Sequence, residues 1–128
     1  MHMTQIYNTK NHMYDIVIIG GGSSGICAAI KLKQAGFDNF IVLEQGGDLG
    51  GTWYWNQYPG AECDVQSHLY SFSFESNPNW SRPYAGQPEI LDYLKHCARK
   101  YQILEHVKLH TEVTKSSWSN DESHWSLS

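Results

Sequence analysis

Residues 14–25 read YDIVIIGGGSSG, and this stretch decides the fold. Its first six residues form an apolar, β-branched run, which predicts a strand buried on both faces of a parallel sheet. Three consecutive glycines follow at once. From residue 24 to residue 34 the apolar side chains recur at helical spacing, and Gly36 suits the end of that helix.

A second buried strand is predicted at residues 40–43, FIVL, which end at Glu44. Strand, glycine-rich turn, helix and strand make a βαβ unit of ordinary size. The sequence therefore predicts an α/β fold with a parallel sheet and a Rossmann-like βαβ unit at its start.

The rest of the chain carries weaker signals. Residues 46–86 are broken by Gly, Pro, Asn and Ser, although Tyr70, Phe72 and Phe74 alternate with serines and favour a short extended piece. Three further elements are predicted: a helix over 87–101 with Pro88 in its first turn, a strand over 107–113, and a C-terminal β-hairpin of strands 116–118 and 124–127. Residues 1–13 are predicted to be a polar N-terminal tail, and residues 14–128 one domain segment.

The glycines follow the pattern Gly20-x-Gly22-x-x-Gly25, between the predicted strand and the predicted helix. A dinucleotide pyrophosphate needs backbone N–H groups and the positive end of a helix dipole brought very close. Gly20 permits the tight turn, Gly22 the approach of the phosphates, and Gly25 the close packing of helix on sheet. The pattern therefore indicates dinucleotide binding, although a plain βα turn remains the alternative.

Glu44 stands nineteen residues after Gly25, at the end of the second strand. A carboxylate there can accept hydrogen bonds from an adenosine ribose and would repel a 2′-phosphate. The site is thus expected to bind FAD or NAD rather than NADP. The βαβ unit alone does not choose between those two, and an exposed glutamate without a ligand is the alternative.

Residues 50–65 read GGTWYWNQYPGAECDV and crowd four aromatic rings, Trp53, Tyr54, Trp55 and Tyr58, into six positions. Coming soon after the second strand, the segment should lie over the same crevice. Such rings suit the wall of a pocket for a flat aromatic group with polar edges, such as an isoalloxazine. Aromatic core packing under a long loop is the competing interpretation.

Composition excludes several other functions. The 128 residues carry a net charge of −4 without a basic cluster, which argues against nucleic-acid binding. The three cysteines lie far apart, which predicts neither a disulfide framework nor a zinc cluster and favours a reducing, cytoplasmic location. The seven histidines are scattered as well and predict no metal site. The polar N-terminus resembles no signal peptide, and no segment has the length and apolarity of a membrane span.

From about Tyr14 to Trp125 the sequence resembles the N-terminal part of a flavin-dependent monooxygenase of the Baeyer–Villiger type, with the wider flavin-containing monooxygenase family behind it. The motifs that carry this resemblance are GGGSSG, GGTWYWNQYPGAECDV, YSFSF and GQPEILDYL. The resemblance implies an incomplete form of a fold with two dinucleotide-binding domains. It also implies a tightly bound FAD that NADPH reduces and that then transfers oxygen to a carbonyl compound or to a soft nitrogen or sulfur.

The resemblance also implies roles for individual residues. The glycine turn would hold the FAD pyrophosphate, Glu44 the adenosine ribose, and Val113 the adenine through its backbone. Asp64 matches an acid near the flavin, the one candidate catalytic residue. The full set of candidate cofactor-binding residues is Gly20, Gly22, Ser23, Ser24, Gly25, Glu44, Gln45, Gly51, Thr52, Trp53, Trp55, Asp64, Val65, Tyr70 and Val113.

The sequence also departs from the family pattern. A second GxGxxG fingerprint for NADPH does not occur in these 128 residues, and neither Arg82 nor Arg99 matches the catalytic arginine. Glu62 stands where an arginine often sits. We therefore expect a fragment that is inactive alone and that acts on a small organic substrate only when the missing domains are supplied. A stand-alone flavin-binding or redox-partner module, and part of an NAD-dependent dehydrogenase, are the alternatives.

Overall fold

A computed structural model describes residues 5–8 and 12–128. Within these residues the strands are β1 (Gln5–Asn8), β2 (His12–Tyr14), β3 (Ile16–Ile19), β4 (Phe40–Leu43), β5 (Val107–Lys108), β6 (Ser116–Ser119) and β7 (His124–Leu127). The α-helices are α1 (Ser23–Gln34), α2 (Thr52–Trp55) and α3 (Gln87–Lys100), and short 3₁₀ helices cover Ser67–Leu69 and Leu104–His106. The chain is thus an α/β protein, as predicted.

The predicted parallel sheet is confirmed and has the strand order β3-β4-β5. β3 and β4 pair in register from Ile16 opposite Phe40 to Ile19 opposite Leu43. All four residues of β4 are buried because strands flank it on both sides. The sequence also predicts that β3 is buried on both faces. This prediction is wrong, because Ile19 is 61% exposed. Among the described strands, β4 is the only one that pairs with β3, which leaves β3 at the sheet edge.

Helix α1 matches its prediction to within one residue. Ile26, Ala29 and Ile30 are fully buried against the sheet. Gly36 ends the helix with a φ of +84°, and the N–H group of Phe37 returns to the carbonyl of Leu32 at 3.0 Å. This arrangement is a Schellman motif, which needs glycine at the left-handed position.

Helix α3 also lies where the sequence predicts it, and it packs against both α1 and α2. Four members of its predicted apolar face are buried: Ile90, Leu94, Cys97 and Ala98. Tyr93 is buried as well, which the apolar pattern did not include. Its hydroxyl, a polar group, is satisfied by two backbone bonds, one from the N–H of Phe72 and one to the carbonyl of Glu75.

The extended piece favoured at residues 70–74 is wrong. The segment is a turn with one isolated bridge between Phe72 and Glu75. The Phe72 and Phe74 rings stack on each other at 5.2 Å, and Phe74 meets Tyr101 edge-on. Packing of the aromatic rings on α3 therefore replaces the pairing of a strand.

The strand predicted over residues 107–113 is confirmed only for β5, its first two residues. Beyond Lys108, the N–H of His110 donates to the carbonyl of Gly46 and the N–H of Thr111 to that of Glu44. The segment thus follows the loop after β4 instead of continuing the sheet.

The C-terminal hairpin is confirmed, with β6 and β7 antiparallel and Trp118 opposite Trp125. It belongs to a second sheet of order β2-β1-β7-β6. Strands β1 and β2 occupy part of the predicted polar tail, while residues 1–4 and 9–11 of that tail lie outside the described residues. Among the helices described, none is both long and apolar enough to cross a bilayer.

Candidate functional site

The glycine-rich turn between β3 and α1 is the centre of the site. Gly20 has a φ of +99°, a conformation that suits glycine, and its N–H donates to the carbonyl of Leu43 at 2.8 Å. A Cβ at Gly25 would lie 1.9 Å from the carbonyl oxygen of Gly20. Only glycine therefore lets α1 begin so close to the strand, as the spacing predicts.

The first turn of α1 presents unpaired backbone donors. Gly22 is its N-cap without a side-chain capping bond, and the first turn holds no acidic residue. The N–H groups of Gly22, Ser23, Ser24 and Gly25 make no hydrogen bond to any other described residue. Such a helix end, with its partial positive charge, can hold an anion such as phosphate.

The segment before α2 packs directly on this turn. The N–H of Gly50 donates to the carbonyl of Gly21 at 2.9 Å. A Cβ on Gly51 would lie 2.8 Å from the Cα of Gly22. The two backbones therefore touch, and the aromatic segment begins at the glycine turn, where the sequence places it.

Glu44 is buried at the end of β4, with 4% of its surface exposed. One carboxylate oxygen accepts a hydrogen bond from the N–H of Gly21 and the other from that of Gly46, both at 2.6 Å. The alternative of a solvent-exposed glutamate is therefore wrong.

Two adjoining clefts surround the turn. The larger, of about 450 Å³, lies beyond the carboxyl ends of β3 and β4 and contains eight of the predicted residues: Gly20, Gly22, Glu44, Gln45, Gly51, Thr52, Trp55 and Val113. The smaller, of about 260 Å³, shares the turn and adds five more: Ser23, Ser24, Gly25, Trp53 and Tyr70. The structure thus brings thirteen of the fifteen predicted residues together.

The sequence left two interpretations of the aromatic segment open, a pocket wall and core packing, and each holds for some of its residues. Trp53 is buried in the core, and its indole N–H donates to the Tyr70 hydroxyl at 3.1 Å, with the rings edge-on. Trp55 is 56% exposed and lines the larger cleft. The segment therefore both fills the core and forms a cleft wall.

Asp64 and Val65 do not line either cleft, and both are exposed. Their neighbour Glu62 forms an exposed ion pair with Arg82 at 3.2 Å. The contacts of Asp64 and Val65 with a cofactor stay a prediction.

Six lining residues were missed from the sequence: Ile19, Leu43, Gly50, Asn56, Thr111 and Glu112. Thr111 and Glu112 follow β5, and the rule that crevices form beyond the carboxyl ends of parallel strands would have found them. Neither cleft is lined by a lysine or an arginine. An anion here would therefore be held by backbone N–H groups and the helix dipole.

This arrangement of parallel sheet, glycine turn and terminal carboxylate defines a dinucleotide-binding domain. The chain belongs to the family of NAD(P)-binding Rossmann-like domains, whose family model matches residues 18–86.

Comparison with individual proteins narrows this class. The chain is 51% identical over 112 residues to a Baeyer–Villiger monooxygenase of Pseudomonas aeruginosa, covering 88% of this chain and 21% of that protein. It is 43% identical to a Baeyer–Villiger monooxygenase of Streptomyces coelicolor, covering 88% and 22%. The resemblance predicted from the motifs is confirmed, and it concerns the N-terminal part of these enzymes.

Solved structures of monooxygenases show the same similarity. An oxidised steroid monooxygenase bound to NADP superimposes with a TM-score of 0.84 at 38% identity, covering 89% of this chain and 22% of that one. A closed cyclohexanone monooxygenase gives 0.83 at 40% identity, covering 88% and 22%. The chain thus spans about a fifth of the length of the relatives it matches.

Proposed function

We propose that this chain is the FAD-binding segment of a flavin-dependent monooxygenase. One observation carries the proposal: Gly22, where the unpaired N–H groups of the turn begin, and the buried Glu44 line the same cleft. The names of similar proteins support it. An FAD-binding monooxygenase of Aspergillus niger, ktnD, is 41% identical over 113 residues, covering 88% of this chain and 19% of that protein.

The residues present fit FAD. Its two phosphates need donors without side chains in the way, and the cleft offers N–H groups of Gly22, Ser23 and Ser24 beside the glycine backbone of Gly51. Each oxygen of Glu44 accepts one backbone bond and retains capacity for a ribose hydroxyl.

At the flavin end, the smaller cleft ends at Trp53 and Tyr70. Their bonded pair offers an aromatic surface and a phenol oxygen to a flat ring system. When bound, FAD supplies the redox chemistry, because it accepts hydride from a nicotinamide and passes electrons to oxygen. The chain's own residues bind and orient it.

The test is a titration of the purified chain with FAD, followed by flavin absorbance and fluorescence, beside a Gly22→Val variant. We expect saturable binding by the wild type and its loss in the variant, because the valine side chain occupies the approach of the pyrophosphate. Binding retained by Gly22→Val would refute the phosphate assignment. Tighter binding of NAD than of FAD would favour the dehydrogenase alternative.

We further propose that the 128 residues do not oxygenate a substrate by themselves. Oxygenation needs hydride from NADPH, and these residues contain one glycine fingerprint and no arginine lining the clefts. Loss of one preorganised electrostatic donor typically costs about 10²–10³ in rate. The chain should be mixed with FAD, NADPH, oxygen and a panel of ketones and thioethers. Oxygenated product above a free-flavin control would contradict this proposal.

The location and the domain division remain expectations of the same kind. The three cysteines are free, which fits a reducing cytoplasmic compartment. NADPH and a small organic substrate would bind when the remaining parts of the enzyme are supplied.

A further inference from the structure

We infer that Glu44 is a positioning residue for the phosphate-binding turn, beyond the ribose contact assigned to it above. This inference rests on the proposed function, because it concerns how the turn is shaped before a dinucleotide arrives. It assigns the carboxylate a role toward the protein backbone that is independent of the adenosine part of the ligand.

The carboxylate joins two separate loops. Its two oxygens accept the N–H groups of Gly21, in the turn after β3, and of Gly46, in the loop after β4, each at 2.6 Å. These are short, charge-assisted hydrogen bonds in a buried setting, the strong class of such bonds. Glu44 therefore ties the glycine turn to the end of the neighbouring strand.

Glu44 is itself held firmly. Its backbone N–H donates to the carbonyl of Lys108 at 3.0 Å, and its carbonyl accepts the N–H of Thr111 at 2.9 Å. The side chain thus extends from a backbone fixed on the side of β5 toward the glycine turn. A fixed anchor of this kind can position what it binds.

The hydrogen bond from Gly21 to Glu44 helps to determine which N–H groups of the turn remain free to bind a ligand. The N–H of Gly20 is used by Leu43 and that of Gly21 by Glu44, so the unpaired donors begin at Gly22. A Cβ at Gly21 would lie 2.5 Å from a methyl group of Leu49 and 3.1 Å from the carboxylate oxygen. The fit is close on both sides.

Removal of the carboxylate would leave the buried N–H of Gly21 without its acceptor. A buried unpaired donor is costly, so the turn would reorient to find water or another acceptor. The donors of Gly22 and Ser23 follow in the same turn and would move with it. The affinity for phosphate should then fall whether or not the ligand carries a ribose.

Two flavin ligands separate this role from ribose recognition. FAD contains the adenosine ribose, whereas riboflavin 5′-pyrophosphate keeps the flavin and both phosphates and lacks the adenosine. The wild type, Glu44→Gln and the matched control Glu105→Gln are titrated with each ligand. Glu105 is an exposed carboxylate that is paired with Lys33 and lines neither cleft, so its variant makes the same charge change outside the site.

A glutamine amide has one acceptor oxygen, so it can accept from only one of the two N–H groups. We therefore expect Glu44→Gln to bind riboflavin 5′-pyrophosphate about tenfold more weakly than the wild type, the scale of a lost charged hydrogen bond. The control should bind as the wild type does. Loss of FAD affinity with unchanged affinity for riboflavin 5′-pyrophosphate would overturn the inference and leave ribose recognition as the role of Glu44. Wild-type binding of FAD without measurable binding of the shorter ligand would overturn it as well.

The same titrations distinguish failure of this inference from failure of the proposed FAD-binding function. If the proposed function is wrong, the wild type binds neither flavin ligand. If Glu44→Gln shows no cooperative thermal transition, Glu44→Asp carries the same test. Its shorter side chain keeps the charge but cannot span the distance to both N–H groups. We expect it to weaken both ligands together, and unchanged binding of the shorter ligand would refute the inference.

Discussion

Substitution of two glycines in the same turn should separate folding from ligand binding. Gly25 faces the protein, since a Cβ there would lie 1.9 Å from the carbonyl oxygen of Gly20. Gly22 can accept a Cβ without a clash, since that atom would lie at an ordinary contact distance of 3.5 Å from the Cα of Gly51, and its φ is −78°. We therefore expect Gly25→Ala to damage the fold and Gly22→Ser to spare it.

The magnitude follows from the contact. To reach an ordinary separation of 3.4 Å from 1.9 Å, the gap at Gly25 must widen by 1.5 Å. Overpacking of this kind costs about 3 kcal/mol, and the better helix propensity of alanine returns about 1 kcal/mol. The net loss at Gly25 is about 2 kcal/mol. Serine is a favourable N-cap, so Gly22→Ser should change the free energy of unfolding by only a few tenths of a kcal/mol.

Urea unfolding followed by tryptophan fluorescence measures both effects, because Trp53 is buried in the core. A loss of about 2 kcal/mol lowers the unfolding midpoint by about 1 M urea. Gly22→Ser should keep the midpoint and still weaken FAD, because its side chain enters the phosphate approach. Equal midpoints for Gly25→Ala and the wild type would refute the packing argument, and full FAD affinity in Gly22→Ser would refute the assignment of the approach.

Three further outcomes are expected. Glu44→Ala should weaken FAD by about 1–3 kcal/mol in a fluorescence titration, and an unchanged curve would contradict its role as a ligand. Tyr93→Phe should lower the unfolding free energy by about 1–2 kcal/mol in urea, because its hydroxyl bridges the N–H of Phe72 and the carbonyl of Glu75. Hydrogen bonds from Lys100, above all, lower the pKa of Glu75. Its stabilisation is therefore present above its unfolded pKa and lost as the pH falls through the lower folded value, so the stability gap between wild type and Glu75→Gln should close in acid. A gap that persists in acid would contradict this.

The βαβ unit could be predicted because its signals are local. An apolar run, three glycines and a helical period each specify their own segment, and they agree with one another. The Schellman motif at Gly36 is of the same kind. Thirteen of the fifteen candidate residues line the clefts. The glycine turn and Glu44 could be placed there from the rule that ligands lie beyond the carboxyl ends of parallel strands, whereas others, such as Val113, came from the resemblance to a known family.

The errors arise where long-range contacts decide the local structure. Residues 109–113 alternate like a strand, yet the N–H groups of His110 and Thr111 find acceptors in the loop after β4. At residues 70–74 the rings pack on α3 and leave the backbone as a turn. The bond from Gly21 to Glu44 joins residues 23 positions apart. Its geometry depends on how α1 and β4 pack and bring Glu44 beside the turn, which no local pattern specifies.

The charges along the larger cleft suit some chemical groups of a dinucleotide and disfavour others. At the glycine turn, α1 begins with unpaired N–H groups and no acidic residue, which favours phosphate. Two acidic residues, Glu44 beside the turn and Glu112, also line the cleft, without a lysine or arginine among the lining residues. Two like charges at about 4 Å repel by about 4 kcal/mol at an effective dielectric constant of 20. A diphosphate with an unmodified ribose therefore suits both the N–H groups and the carboxylates, whereas a 2′-phosphate would meet negative charge with no lysine or arginine among the lining residues to offset it. This distribution of charge explains why the cleft of a family named for NAD(P) should here favour FAD over NADP.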